Sequence, residues 1–300
     1  MPLPELPAIE SDRADWAVRV SDRPEGDGNG LLGEDSVDSQ IKVRSVRLPD
    51  GVRLEFDDTG IFDITHEGAT ITWCPSGSAR PDLARADLLG AVFSVALHLQ
   101  GVLCLHGSGV TIGGRAIGFL ARKGSGKSTL AMALSAAGAK LVTDDMLAVH
   151  PGPPPTVWPA APTLHLLEDS ADQLHGPEGR VKNPLRGKYK VANLPADRVE
   201  VRRTPLAAVY ELLPRSSSAG ERGVTRTRLA DTAAVMTLLR HPKISESLAR
   251  DVATLDRAAQ IVRQVPVYQL AFAHEFSRLP QLVDQMMGWH SGENSLPDAT

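Results

Sequence analysis

The residues with the clearest chemistry run from Ala121 to Ser128 and read Ala-Arg-Lys-Gly-Ser-Gly-Lys-Ser. A phosphate-binding loop needs glycine so that backbone N–H groups can turn inward against an anion. It also needs a lysine for the outer phosphates and a neighbouring hydroxyl for magnesium. Gly124 and Gly126 supply the backbone freedom, Lys127 the cation and Ser128 the metal-ligating hydroxyl. Ala121, Arg122, Lys123, Ser125 and Thr129 complete the segment expected to surround the phosphates, so the spacing predicts a nucleoside triphosphate bound with Mg2+ and leaves the base open. Ala121 stands where the pattern G-x-x-x-x-G-K-[ST] begins with glycine, and a slightly altered loop entry is expected there. The competing reading is a chance Gly-Ser-Gly-Lys-Ser in a linker. An apolar strand before the loop and a helix after it argue against that reading.

Downstream, Asp144-Asp145 follow the apolar pair Leu141-Val142. An acid at such a strand end faces the metal and its waters. Two adjacent acids allow one, Asp144, to bind the metal shell while the other, Asp145, accepts a proton from an attacking hydroxyl, and their order is open to exchange. The alternative is an ordinary strand-to-loop turn. Upstream, His106 in Leu105-His106-Gly107 is either structural or a partner that orients the base. The cations Lys182, Arg186, Lys188 and Lys190 are either a solvated basic loop or, for Arg186, Lys188 and Lys190, a phosphate or substrate contact. His150, His165, His175 and His241 show no ligand spacing.

The elements that must position these residues are legible as short apolar runs. Val102–Leu105, Gly109–Ile112 and Ala116–Leu120 read as strands, with Gly113-Gly114 as a hairpin turn. Thr129–Ala137 reads as a helix that Gly138 ends. A Pro-rich stretch from Pro151 to Pro162 precedes strands near Thr163–Leu167 and Ala207–Leu213. Helices are expected over Thr232–Leu239, Ser245–Arg263 and Leu279–Met287, with one late strand at Val265–Leu270. Before the loop, alternating apolar residues from Ile41 to Cys74, broken by turn signals at Pro49-Asp50-Gly51 and Asp58-Thr59-Gly60, predict a small antiparallel β unit. Pro81-Asp82 opens a helix to about Leu99. The expected class is α/β. The expected organisation is a partly ordered lead-in (1–40), a β-rich region with a connecting helix (41–100), a catalytic domain (101–290) and a flexible tail (291–300).

Composition narrows the function classes. The chain has 300 residues and a formal net charge of -4, which argues against a general nucleic-acid surface. Only 4% of its residues are aromatic, so base-stacking platforms are not expected to dominate recognition. Its 2 cysteines, Cys74 and Cys104, cannot build a disulfide framework. The N-terminal Met-Pro-Leu-Pro-Glu-Leu-Pro has no basic or apolar signal region. The apolar run Leu88–Leu105 is divided by Gly101 into helix-like and strand-like halves, so no membrane span is expected and the protein reads as cytoplasmic.

Taken in order, Leu105-His106-Gly107-Ser108-Gly109, then Gly118-Phe119-Leu120 with Gly124-Ser125-Gly126-Lys127-Ser128, then Leu141-Val142-Thr143-Asp144-Asp145, resemble the catalytic domain of HPr kinase/phosphorylase. The resemblance covers residues 101–150 and fades afterward. It implies an HPr-kinase-like P-loop fold with catalytic His106, Asp144 and Asp145, the second aspartate as base, and a protein serine as acceptor. Thr129 departs from the glutamate that continues the loop in that family, and Glu168 is a weak match for its downstream metal-binding glutamate. The chain looks more like divergent HPr-kinase-like proteins of ribosomal peptide pathways, including kinases of the C-terminal serine of lasso-peptide precursors. The resemblance thus implies a serine kinase that uses ATP and Mg2+ on a peptide or small protein. It leaves homo-oligomerisation and a reverse phosphorylase activity open. A small-molecule kinase and a non-catalytic nucleotide-sensing module are the competing functions; the combination of His106 with two aspartates weighs against the second.

Overall fold

The computed structural model describes residues 3, 15–37, 41–77, 79–122, 124–160, 164–166, 180–183, 188–191, 194–214 and 223–291. It is a mixed α/β structure that divides into two compact units, one of residues 1–104 and 242–257, the other of residues 105–241 and 258–300.

In the first unit a six-stranded sheet is formed by β1 (Ala17–Val20), β2 (Leu31–Val37), β3 (Ile41–Leu48), β4 (Gly51–Phe56), β5 (Gly60–Thr65) and β6 (Thr70–Pro75), in the order β1-β6-β5-β4-β3-β2. β2 to β6 form an antiparallel meander, and β1 adds to β6 in parallel. Two of these strands lie where the sequence reads only a lead-in. Their composition explains that: β1 is largely exposed, and Gly33, Glu34 and Asp35 interrupt the apolar pattern of β2. The helical run expected from Pro81 is present but segmented into α1 (Pro81–Asp87), a π-turn at Leu88–Val92 and α2 (Phe93–Leu99). Ala84, Leu88, Val92, Val95 and Ala96 pack on Val52, Leu54, Phe62, Ile64 and Ile71 of the sheet. Burial of each large apolar side chain contributes about 1.5–3 kcal/mol before entropy is counted. Gly101 (φ 87°) turns the chain from this helix into β7 (Leu103–Leu105), as the sequence pattern implies.

The second unit is built on β8 (Gly107–Ile112), β9 (Arg115–Leu120), β10 (Lys140–Thr143), β11 (Leu147–His150) and β12 (Thr156–Trp158). β13 (Leu164–Leu166), β14 (Arg180–Asn183) and β15 (Lys188–Val191) make a separate three-stranded antiparallel sheet. β16 (Thr204–Leu212), β17 (Thr225–Arg228) and β18 (Val267–Ala271) complete the set. Within the main sheet β10-β8-β9-β16-β12-β11 are successive neighbours, and β18 and then β17 extend from β16. β9, β16 and β18 are mutually parallel while the remaining pairs are antiparallel. The further helices are α3 (Lys127–Ala136), α4 (Asp231–Leu239), α5 (Glu246–Ala249), α6 (Val252–Val262) and α7 (Leu279–His290), of which α5 and residues 252–257 of α6 belong to the first unit. The single helix expected over Ser245–Arg263 is therefore two, broken at Arg250, whose φ of -92° and ψ of 41° end α5. β17, Thr-Arg-Thr-Arg, was not expected, because a polar edge strand carries no apolar alternation; nor were β11, just before the Pro-rich stretch, and β12, within it.

One face of the sheet buries α3 and α7. Val110, Ile117, Phe119, Ala208, Tyr210 and Leu212 meet Leu130, Leu134, Leu282, Val283 and Met286 in one core. The other face of β8 and β9 carries glycine for a packing reason. A Cβ on Gly118 would lie 2.5 Å from Leu147 Cδ2, and one on Gly109 3.1 Å from Leu147 Cδ1. The fully buried Leu147 thus lies directly against backbone, and this brings β11 and the turn before it onto the β8–β9 hairpin.

Among the described residues no helix is long and apolar enough to cross a membrane. Cys74 and Cys104 are free thiols, and burial pushes the Cys104 thiol up to about 12.

Candidate functional site

The segment 121–126 joins the end of β9 to the start of α3, the strand–loop–helix order expected from sequence. Gly124 (φ 84°) and Gly126 (φ 88°) both adopt left-handed backbone, which an L side chain resists by roughly 1–2 kcal/mol. The Ser125 N–H donates to Arg122 O at 3.2 Å, and the Leu130 N–H to Gly126 O at 2.9 Å, so the loop closes directly into the helix. Ala121 is buried and is not left-handed; among the described non-glycine residues only Asp145 is. A glycine is therefore not required at the loop entry. The Lys127 ammonium folds back and donates to Ala121 O at 2.8 Å, which holds a buried cation across the loop.

Asp144 and Asp145 leave the end of β10 in different directions, and the backbone is the cause. Asp145 has φ 84°, and the Thr143 hydroxyl donates to Met146 O at 2.6 Å, closing a tight turn around the pair. Aspartate tolerates this region better than most residues, but a non-glycine there marks stored strain. The turn aims Asp144 at α3. Its Oδ1 accepts the Ser108 hydroxyl at 2.5 Å and the Ser128 hydroxyl at 2.8 Å. Asp145 is aimed at His106 instead, with His106 Nδ1 3.1 Å from Asp145 Oδ1 and both side chains about one-third exposed (35% and 32%). The structure therefore brings together Ser128, Asp144, Asp145, His106 and Lys127 around one loop, and it adds Ser108, which the sequence pattern did not single out as a site residue.

His106 itself is held by backbone. Its N–H donates to His241 O at 2.8 Å, just past the end of α4. The His241 ring lies 3.4 Å from Glu211 Oε1, and Glu211 also receives Arg240 Nη2 at 3.1 Å and Gln269 Nε2 at 3.3 Å. The hydrogen bond from His241 holds the Glu211 carboxyl below its usual range, against the burial that opposes it. Glu211 stands beside Leu120, the last residue before the loop, in the β9–β16 register. Sequence reasoning assigned neither Glu211 nor His241 a role, because no spacing along the chain connects residues 106, 211 and 241.

Lys123 and Arg186 lie outside the described residues. Lys188 and Lys190 are in β15, and their side chains lie outside the described set. Among the described residues no cluster of three or more His, Cys, Asp or Glu forms a metal cage. The oxygen pair Ser128 and Asp144 suits magnesium, which keeps most of its shell as water and phosphate and takes one or two protein oxygens.

No protein-family model matches the chain, and no curated protein matches it. Among solved structures, the HPr(Ser) kinase/phosphatase from Coxiella burnetii aligns over 62% of this chain and 95% of its own length, at 14% identity and a TM-score of 0.33. The similarity is distant.

Proposed function

We propose that the protein is an ATP- and Mg2+-dependent kinase that transfers the γ-phosphoryl group to a serine hydroxyl of a peptide or small protein. The observation that carries the proposal is the division of the aspartates around one loop: Asp144 bound to Ser128 at 2.8 Å, and Asp145 beside His106 at 3.1 Å. A module that only binds nucleotide has no need of the second pair.

In this reading the loop amides and Lys127 cradle the triphosphate, and the N-terminus of α3 favours its negative charge. Ser128 and Asp144 hold magnesium, which when bound neutralises charge on the phosphates. Asp145 takes the proton of the attacking hydroxyl. His106 orients that carboxylate and shares the proton afterwards. Phosphoryl transfer demands mainly positioning and charge neutralisation, so these few groups suffice. The peptide acceptor, with the C-terminal serine of a lasso-peptide precursor as its leading case, rests on the sequence resemblance alone. The same resemblance leaves assembly into a homo-oligomer open, and a cytoplasmic location rests on the sequence reading alone.

The test is mass spectrometry of serine-bearing peptides, including peptides ending in serine, incubated with the protein, ATP and Mg2+. A phosphate mass increase on serine is expected, absent with Lys127→Ala. Phosphate appearing only on small-molecule alcohols replaces the peptide acceptor. ATP binding without transfer to any acceptor refutes the kinase reading.

A further inference from the structure

We infer that Glu211 is a positioning residue for the catalytic histidine: it anchors the end of α4 so that the His241 carbonyl holds His106 against Asp145. The inference rests on the kinase reading for its consequence but not for its geometry.

The placement follows from sheet register. β9, β16 and β18 run parallel, so their C-terminal ends share one edge of the sheet, where ligands bind in such folds. Glu211 pairs with Leu120 on one side and Gln269 on the other, and Gly107 pairs with Leu120 in turn. The row Gly107, Leu120, Glu211, Gln269 therefore crosses the sheet directly behind the loop. Tyr210 and Leu212 point into the α3 core, so the intervening Glu211 side chain projects from the opposite face, where Arg240 and His241 meet it.

A carboxylate that is only 14% exposed, in the middle of a sheet, is unfavourable unless it is paired. Here three donors compensate it: Arg240, His241 and Gln269. That compensation separates it from a metal ligand, whose charge is left for the cation. Two of the donors lie immediately after α4, so one carboxylate clamps the helix end. His241 uses its ring for the clamp and its carbonyl for the His106 N–H at 2.8 Å. The His106 backbone is thus tied to Glu211 through one intervening residue, and the His106 ring ends 3.1 Å from Asp145. Misplacement of a reacting group by about 1 Å is enough to lower turnover by on the order of a hundredfold, so a clamp at this distance is felt in kcat more than in nucleotide binding.

The experiment uses the full chain with Glu211→Gln, which keeps the shape and removes the charge. Arg240→Met is the second variant. It removes an arm that is 56% exposed and so is tolerated by the fold. Three quantities are measured: ATP affinity by titration, kcat for phosphate transfer, and the His106 imidazole chemical shifts by NMR at a single pH. Expected are unchanged ATP affinity, a kcat lowered at least tenfold in Glu211→Gln, and His106 ring resonances moved from their wild-type positions as the ring leaves Asp145. Arg240→Met shows the same pattern more weakly, and Arg240→Lys restores it. His106 ring resonances left in place in both variants overturn the inference. So does loss of ATP affinity in step with kcat, which makes Glu211 a general structural residue. If the wild-type protein transfers no phosphate, the kinase reading fails, while the His106 ring resonances still decide the positioning role.

Discussion

Asp145 is the position where chemistry and backbone conformation can be separated by substitution. Its φ of 84° places an L residue in left-handed backbone, and its carboxylate contacts a histidine about one-third exposed. Three replacements divide these properties. Asn keeps the tolerance for this backbone and removes the charge; Ala removes both; Gly removes the charge and relieves the strain. The lost His106 contact is partly exposed and contributes under about 1 kcal/mol. Left-handed backbone disfavours Ala by roughly 1–2 kcal/mol, while Gly loses about 0.4–1 kcal/mol through the greater entropy of its unfolded chain. Asp145→Gly is therefore expected to be more stable than Asp145→Ala by about 0.5–1 kcal/mol, the reverse of the order at an ordinary right-handed loop position. In a thermal scan that difference is about 2 °C. Asp145→Asn should melt within about 1 °C of wild type. All three should keep ATP affinity and lose turnover by about 10²–10⁴, the range of a general base. Calorimetry on the three variants with a single-turnover phosphate-transfer assay reads both halves. Equal stability of Ala and Gly refutes the backbone argument, and retained turnover in Asp145→Asn refutes the base assignment.

Two further outcomes follow from packing and protonation. Gly118→Ala places a methyl 2.5 Å from Leu147 Cδ2 and should lower stability by about 1–3 kcal/mol. A double-mutant cycle with Leu147→Ala should show coupling of about 1 kcal/mol or more, and simple additivity sinks the explanation for the glycine. His290, partly buried against Tyr210 with its Nε2 2.8 Å from the phenolic oxygen, is pushed down to about 4 by desolvation, then by Arg226 and Arg115. The unfolded histidine titrates near 6.5, so between these values the unfolded chain holds the extra proton. Stability should be full above about pH 6.5 and should fall toward pH 4 by about 1 kcal/mol per pH unit. Denaturant unfolding of His290→Gln should show a shallower slope; an identical slope removes His290 from the account.

The division between what is local and what is not explains how much was legible in the chain. The strand–loop–helix around residues 121–126 was readable because Gly124, Gly126, Lys127 and Ser128 are adjacent in sequence, between an apolar strand and a helix. Asp144-Asp145 and His106 were readable because they flank short apolar strands that the loop itself locates. The antiparallel run from Ile41 to Cys74 was readable from its alternation. Tertiary structure alone decided the rest. The different directions of Asp144 and Asp145 depend on a left-handed φ that no side-chain pattern announces. The inclusion of residues 242–257 in the first unit depends on Ile244 and Leu248 packing with β-strands some two hundred residues earlier in the chain. β17 was silent because Thr-Arg-Thr-Arg has no apolar face, and its partner β18 supplies the order. Glu211 and His241 reach His106 only because parallel register sets the ends of β9, β16 and β18 side by side. Hydrogen bonds across a sheet edge join residues a hundred apart, and sequence spacing carries no trace of them.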